Sequence, residues 1–155
     1  MTDALNPESA TIALPATRVE IDVSLKSLFD HLAQEGFRPK IDEDGSLGFK
    51  CEGWKLYLDP YSSHGGFRLY CCVYWELDPA DRTKALNIAN EINADRRCVK
   101  AVVNGNNTVW LTYETHCADV VEYARTLASA ADFIVTGCRE YREAFRRESQ
   151  PVTLN

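Results

Sequence analysis

Six cysteines (Cys51, Cys71, Cys72, Cys98, Cys117 and Cys138) and three histidines (His31, His64 and His116) are the side chains of this 155-residue chain best suited to nucleophilic or metal chemistry. Their spacing favours neither. A structural zinc site draws on closely spaced pairs such as Cys-x-x-Cys, and the nearest approach here is the adjacent His116-Cys117. No metal or other cofactor is therefore expected. A thiol nucleophile needs a histidine brought close by the fold, which three scattered histidines leave open. His64-Gly65-Gly66 has the form of an oxyanion-hole loop, yet no Gly-x-Ser-x-Gly elbow supplies the nucleophile. Asp42-Glu43-Asp44-Gly45 has the acids of a calcium loop. An EF-hand, however, puts glycine sixth and glutamate twelfth, and the twelfth residue counted from Asp42 is Gly53. The plainer reading is a turn. No glycine-rich phosphate loop follows a strand.

Charge and composition narrow the partners. The chain carries a formal charge of −6 with a pI near 5.1, and no basic stripe interrupts it. Phosphate binding needs such a stripe, so nucleic acid is not expected; acidic character points instead to a basic partner surface. No apolar run reaches the ~18 residues of a membrane span, so no membrane insertion is expected. The first residues have neither the basic start nor the apolar run of a signal peptide. A cytoplasmic protein follows, in a compartment where disulfides are rare. Cys51, Cys71 and Cys138 fall on apolar stripes and read as small buried hydrophobes.

The elements that must position these groups are organised around Phe67 to Leu77. For eleven residues Phe67, Leu69, Cys71, Val73, Trp75 and Leu77 alternate with Arg68, Tyr70, Cys72, Tyr74 and Glu76. Successive strand side chains leave opposite faces, so the pattern predicts a long central strand with one covered face. Before it, Leu47 to Cys51 and Trp54 to Asp59 form a hairpin through Glu52-Gly53. Ahead of the hairpin, a helix capped by Ser24 places Leu25, Leu28, Phe29 and Leu32 on one side and ends at Gly36, followed by an extended lead to Ile41.

Asp78-Pro79 reads as a cap and first helical position, opening a helix that buries Ala85, Ile88, Ala89 and Ile92 and turns Asn93 outward. A second hairpin joins Val99–Val103 to 108–114 through Asn104-Gly105-Asn106-Asn107. Asp119 then caps a helix running to about Arg147, with Val120, Leu127, Ile134 and Tyr141 seven apart and Ala124, Ala131, Cys138 and Phe145 four behind each. At ~1.5 Å per residue it spans ~43 Å, so an overhang or a bend near Thr136-Gly137 is expected. Its last turns interleave Arg139, Arg142, Arg146 and Arg147 with glutamates, as a solvated end would. The expected organisation is a flexible arm over residues 1–17, one domain over 18–148 and a tail over 149–155.

The resulting α+β fold is a single antiparallel sheet of about five strands with helices packed on it, in the order α-βββ-α-ββ-α. With the Asp42 to Gly45 turn, the run Ala89-Asn90-Glu91-Ile92-Asn93, then Val99-Lys100-Ala101 and the Asn104 to Leu111 segment, the chain resembles the type III secretion chaperone-like fold, and more closely the YbjN family, over residues 20 to 145. The resemblance implies a non-enzymatic, regulatory or chaperone-like role in binding protein, and a homodimer as in the chaperone members. Which protein partner it binds the sequence does not name.

One surface stands out. The nominally polar strand face carries Tyr57, Tyr70, Tyr74 and Trp110, residue types enriched at binding hot spots. They mark a candidate protein-interaction surface; the competing reading is that they cover the sheet or pack under the last helix. Two alternatives in function remain: a small-ligand sensor with a pocket between helix and sheet, and a small enzyme using a cysteine or carboxylate.

Overall fold

The long strands send their large aliphatic side chains to one side of the sheet, and that shared side sets the layers. The computed structural model describes residues 18–43, 45–59, 66–117 and 119–149; the expected arm, most of the tail, Asp44, His64 and Gly65 lie outside them. In chain order the elements are α1 (Arg18–Gln34), β1 (Lys40–Ile41), β2 (Leu47–Cys51), β3 (Trp54–Asp59), β4 (Phe67–Tyr74), α2 (Arg82–Asp95), β5 (Val99–Val103), β6 (Val109–Thr115) and α3 (Val120–Ser149). The strands form one antiparallel sheet in the order β1-β2-β3-β4-β6-β5. Among the described residues the sheet thus has six strands where about five were expected, because part of the extended lead pairs as β1, with Lys40 opposite Gly48 and Ile41 opposite Leu47.

One face is covered by helices. Leu47, Phe49, Leu56, Leu58, Leu69, Cys71, Ala101 and Leu111 are buried there in a single cluster with Leu28 and Leu32 of α1, Ile88 of α2 and Ile134 and Tyr141 of α3. Helix α3 crosses β2, β4, β5 and β6, with α1 and α2 against its sides, and α2 also lies along β5. No helix among the described residues is long and apolar enough to cross a membrane.

Local chemistry explains the ends of the elements. Glu52 and Gly53 both have positive φ, 49° and 85°, the requirement of the tight turn that matches strand twist. Asp78 accepts a hydrogen bond from the Ala80 N–H at 2.9 Å and opens a short 3₁₀ turn before α2. Asp119 accepts from the N–H groups of Val121 and Glu122, both at 2.9 Å, satisfying donors that a helix start leaves free.

Helix α3 runs unbroken through Gly137, where a Cβ would stand 2.7 Å from Leu111 Cδ2, so this glycine admits close approach to the sheet. Two expectations need correction. Helix α1 begins at Arg18, with Ser24 inside it. Strand β4 ends at Tyr74, because an extra residue between Cys72 and Tyr74 shifts its register against β6. Such a bulge inverts the alternation beyond it, which leaves Trp75 60% exposed instead of covered.

Candidate functional site

The sheet face turned away from the helices holds a stacked ladder of rings. Tyr57 and Tyr70 are opposite one another on β3 and β4, with centroids 5.4 Å apart and planes 18° apart. Trp110 of β6, opposite Cys72, stacks on the other side of Tyr70 at 5.0 Å and 4°. Three of the four residues expected to form an interaction surface are therefore together, each half-buried by its neighbours. The fourth is not. Beyond the bulge Tyr74 pairs with Val109, whose side chain is buried, and its ring meets Phe145 at 5.0 Å and Tyr141 at 6.3 Å on the covered side. Burial raises its phenol pKa.

Charged side chains frame the ladder. The Lys55 ammonium lies 4.6 Å from the Tyr57 centroid and the Arg68 guanidinium 5.1 Å from that of Tyr70, within reach of the ring quadrupole. Arg68 pairs with Asp59 at 2.7 Å, Lys100 with Glu114 at 2.9 Å and Lys55 with Asp42 at 3.3 Å. The Lys100 hydrogen bond lowers the Glu114 pKa; hydrogen bonds to Tyr57 and Asp42 raise that of Lys55. A Cβ at Gly48, opposite Tyr57, would stand 3.4 Å from Lys55 Cε and 3.7 Å from the Tyr57 ring. Beneath the rings Cys72 is buried, and burial pushes its thiol up to about 12. Two buried nitrogens on this face, Arg68 Nε and Trp110 Nε1, have no hydrogen-bond partner among the described residues.

The groups considered for catalysis are dispersed. Cys71 and Cys138 meet on the covered side, where the hydrogen bond between them and then burial raise the Cys138 pKa. Cys98 is exposed at the start of β5, Cys51 and Cys117 are intermediate, and all six thiols are free. His31 sits in the last turn of α1 and His116 just after β6. Among the described residues, no three His, Cys, Asp or Glu side chains are grouped to hold a metal. An open groove of about 670 Å³ lies between α2 and α3, with Ile92, Cys98, Phe133 and the paired Arg96 and Glu140 in its walls.

Two polar contacts escaped the sequence reading. Asn93 does not simply face solvent: its Nδ2 donates to the Ala101 carbonyl at 3.1 Å and its Oδ1 accepts from the Ala101 N–H at 2.7 Å. Its amide thereby occupies backbone groups on edge strand β5, as an added strand would. A helical wheel shows only that Asn93 lies off the apolar stripe; the recurring Asn in the Ala89 to Asn93 run was the available signal. Arg142 of α3, expected in solvent, covers the Trp54 ring at 4.1 Å and donates to the Val73 carbonyl at 3.3 Å.

Comparison with known proteins agrees with the fold and places the chain. None of the curated proteins matches it. The crystal structure of YbjN from E. coli superposes with a TM-score of 0.61 at 14% identity, covering 80% of this chain and 93% of that one. An uncharacterized protein from Methanothermobacter thermautotrophicus gives 0.56 at 12%, covering 82% and 99%. The Yersinia pestis type III secretion chaperone SycH, solved with a fragment of YscM2, gives 0.46 at 13%, covering 73% and 98%. The family model described as "Putative bacterial sensory transduction regulator" matches residues 24–147, and the chain belongs to that family, YbjN.

Proposed function

We propose that this chain is a non-enzymatic protein-binding module, regulatory or chaperone-like, working in the cytoplasm and taking its partner on the open face of the sheet. The observation that carries the reading is the Tyr57–Tyr70–Trp110 ladder, stacked on a face that no helix among the described residues covers. Preformed aromatic rows offer contact area at little entropic cost, since neighbouring rings already hold their rotamers. The family description as a regulator is consistent with such a role. Pull-down from the native cytoplasm with quantitative mass spectrometry, using wild type and a Tyr70→Glu/Trp110→Glu variant of unchanged melting temperature, tests the proposal. Specific partners lost with the double variant support it; an identical set of partners overturns it.

Self-association is a second reading, favoured by large apolar side chains left in solvent on the helices, Leu86, Val121 and Phe133. Light scattering at high micromolar concentration decides it. A dimer mass supports a homodimer and a monomer mass removes it.

A further inference from the structure

The open face differs in charge from the chain that carries it. Residues directly opposite on adjacent strands share a face, so the register sets Lys40, Gly48, Tyr57, Tyr70, Thr112 and Lys100 in one row across all six strands. The neighbouring rows add Lys50 and Lys55 on one side, Asp59, Arg68 and Glu114 on the other. Of the carboxylates here, Asp59 and Glu114 each pair with a cation of the face, and Asp42, just after β1, reaches Lys55. Lys40 and Lys50 are exposed and join no ion pair among the described residues. A chain with a formal charge of −6 thus presents a face with an excess of cations.

The rings narrow the chemistry further. Tyr70 lies between Tyr57 and Trp110 in near-parallel stacks, so its faces are taken and edges remain for a partner. A nucleobase would need an open ring face, which Tyr70 lacks, whereas ring edges carry the positive side of the quadrupole and suit carboxylate oxygens. Strand addition is obstructed at the β5 edge, where Asn93 holds the Ala101 N–H and carbonyl. At the other edge, Pro39 precedes the two-residue β1 and offers no N–H.

We propose that the occupant of this face is an acidic segment of a partner protein, laid across the aromatic ladder with its carboxylates on Lys40, Lys50 and Lys55. This rests on the docking reading above and replaces the basic partner surface expected from net charge. The Lys40 to Lys100 row crosses five interstrand spacings, about 24 Å, the length of about seven extended residues.

The test uses the full chain, ¹⁵N-labelled, titrated with a ten-residue alternating Glu-Tyr peptide and with its Gln-Tyr counterpart. The Glu-Tyr peptide is expected to shift the amides of Lys40, Lys50, Lys55, Tyr57 and Tyr70 and the Trp110 indole N–H. Its affinity should weaken with added salt and fall about tenfold or more in a Lys40→Glu/Lys50→Glu/Lys55→Glu variant that keeps the wild-type spectrum elsewhere. Equal binding of both peptides at the rings overturns the acidic partner and leaves the docking face standing. Shifts confined to another surface overturn both, and no binding of the Glu-Tyr peptide overturns the acidic partner.

Discussion

The two faces of this sheet are built from the same six strands yet obey different rules. On the covered face aliphatic side chains dominate and the constraint is shape: Leu111 leaves so little space under α3 that residue 137 has no side chain. On the open face rings, lysines and carboxylates interlock by stacking and charge, and they remain partly exposed. Covered-face residues should therefore govern stability, and open-face residues should be replaceable at small cost to folding. The bulge after Cys72 marks the limit of that division, since one extra residue transfers Tyr74 from the face of Tyr70 to the face of Phe145.

The largest effect belongs to Leu111→Asp, which buries an unpaired charge where no water reaches. It should cost about 4 kcal/mol or more in urea denaturation, against about 1 kcal/mol for Tyr57→Ser on the open face. Equal midpoints for the two variants would show that the faces are misassigned. Next comes Gly137→Ala, whose methyl must displace Leu111 or α3, at about 1–3 kcal/mol; a variant as stable as wild type would mean the helix seats more loosely. Asn93→Ala should cost about 1 kcal/mol and speed hydrogen exchange at the Ala101 amide, and unchanged exchange there would contradict the edge cap.

The smallest effect is electrostatic. Glu114 has a pKa lowered by its Lys100 hydrogen bond, so its contribution to stability is present above the ordinary carboxylate pKa and is lost as pH falls through the lowered value. Glu114→Gln should be slightly less stable than wild type at pH 7, with the difference vanishing in strong acid. A difference that grows on acidification has the wrong sign.

Much of the fold was readable from period and punctuation. The 3.6-residue stripe of α2 marked Ala85, Ile88, Ala89 and Ile92, all buried, and alternation marked Leu47 and Phe49 of β2, Leu56 and Leu58 of β3 and Val109 and Leu111 of β6, though not the buried Gly48 and Thr112. What period cannot show is an interruption of itself. Nothing in Tyr-Cys-Cys-Val-Tyr-Trp announces the bulge, because the side chains on both sides of it are equally suited to a strand. The ladder's three stacked members followed from the face assignment, but the charge excess did not, since it depends on which strands are neighbours. Lys40 and Lys100 lie in one row only through the register of all six strands.

The central claim, that the open face is where a protein docks, is tested most directly by site-specific photocrosslinking in intact native cells. A benzophenone amino acid placed at Tyr70 is compared with one at Ser129, exposed on α3. The account predicts discrete protein adducts from position 70 and only background from position 129, suppressed at position 70 by Trp110→Glu. Adducts from position 129 with none from position 70 would contradict it.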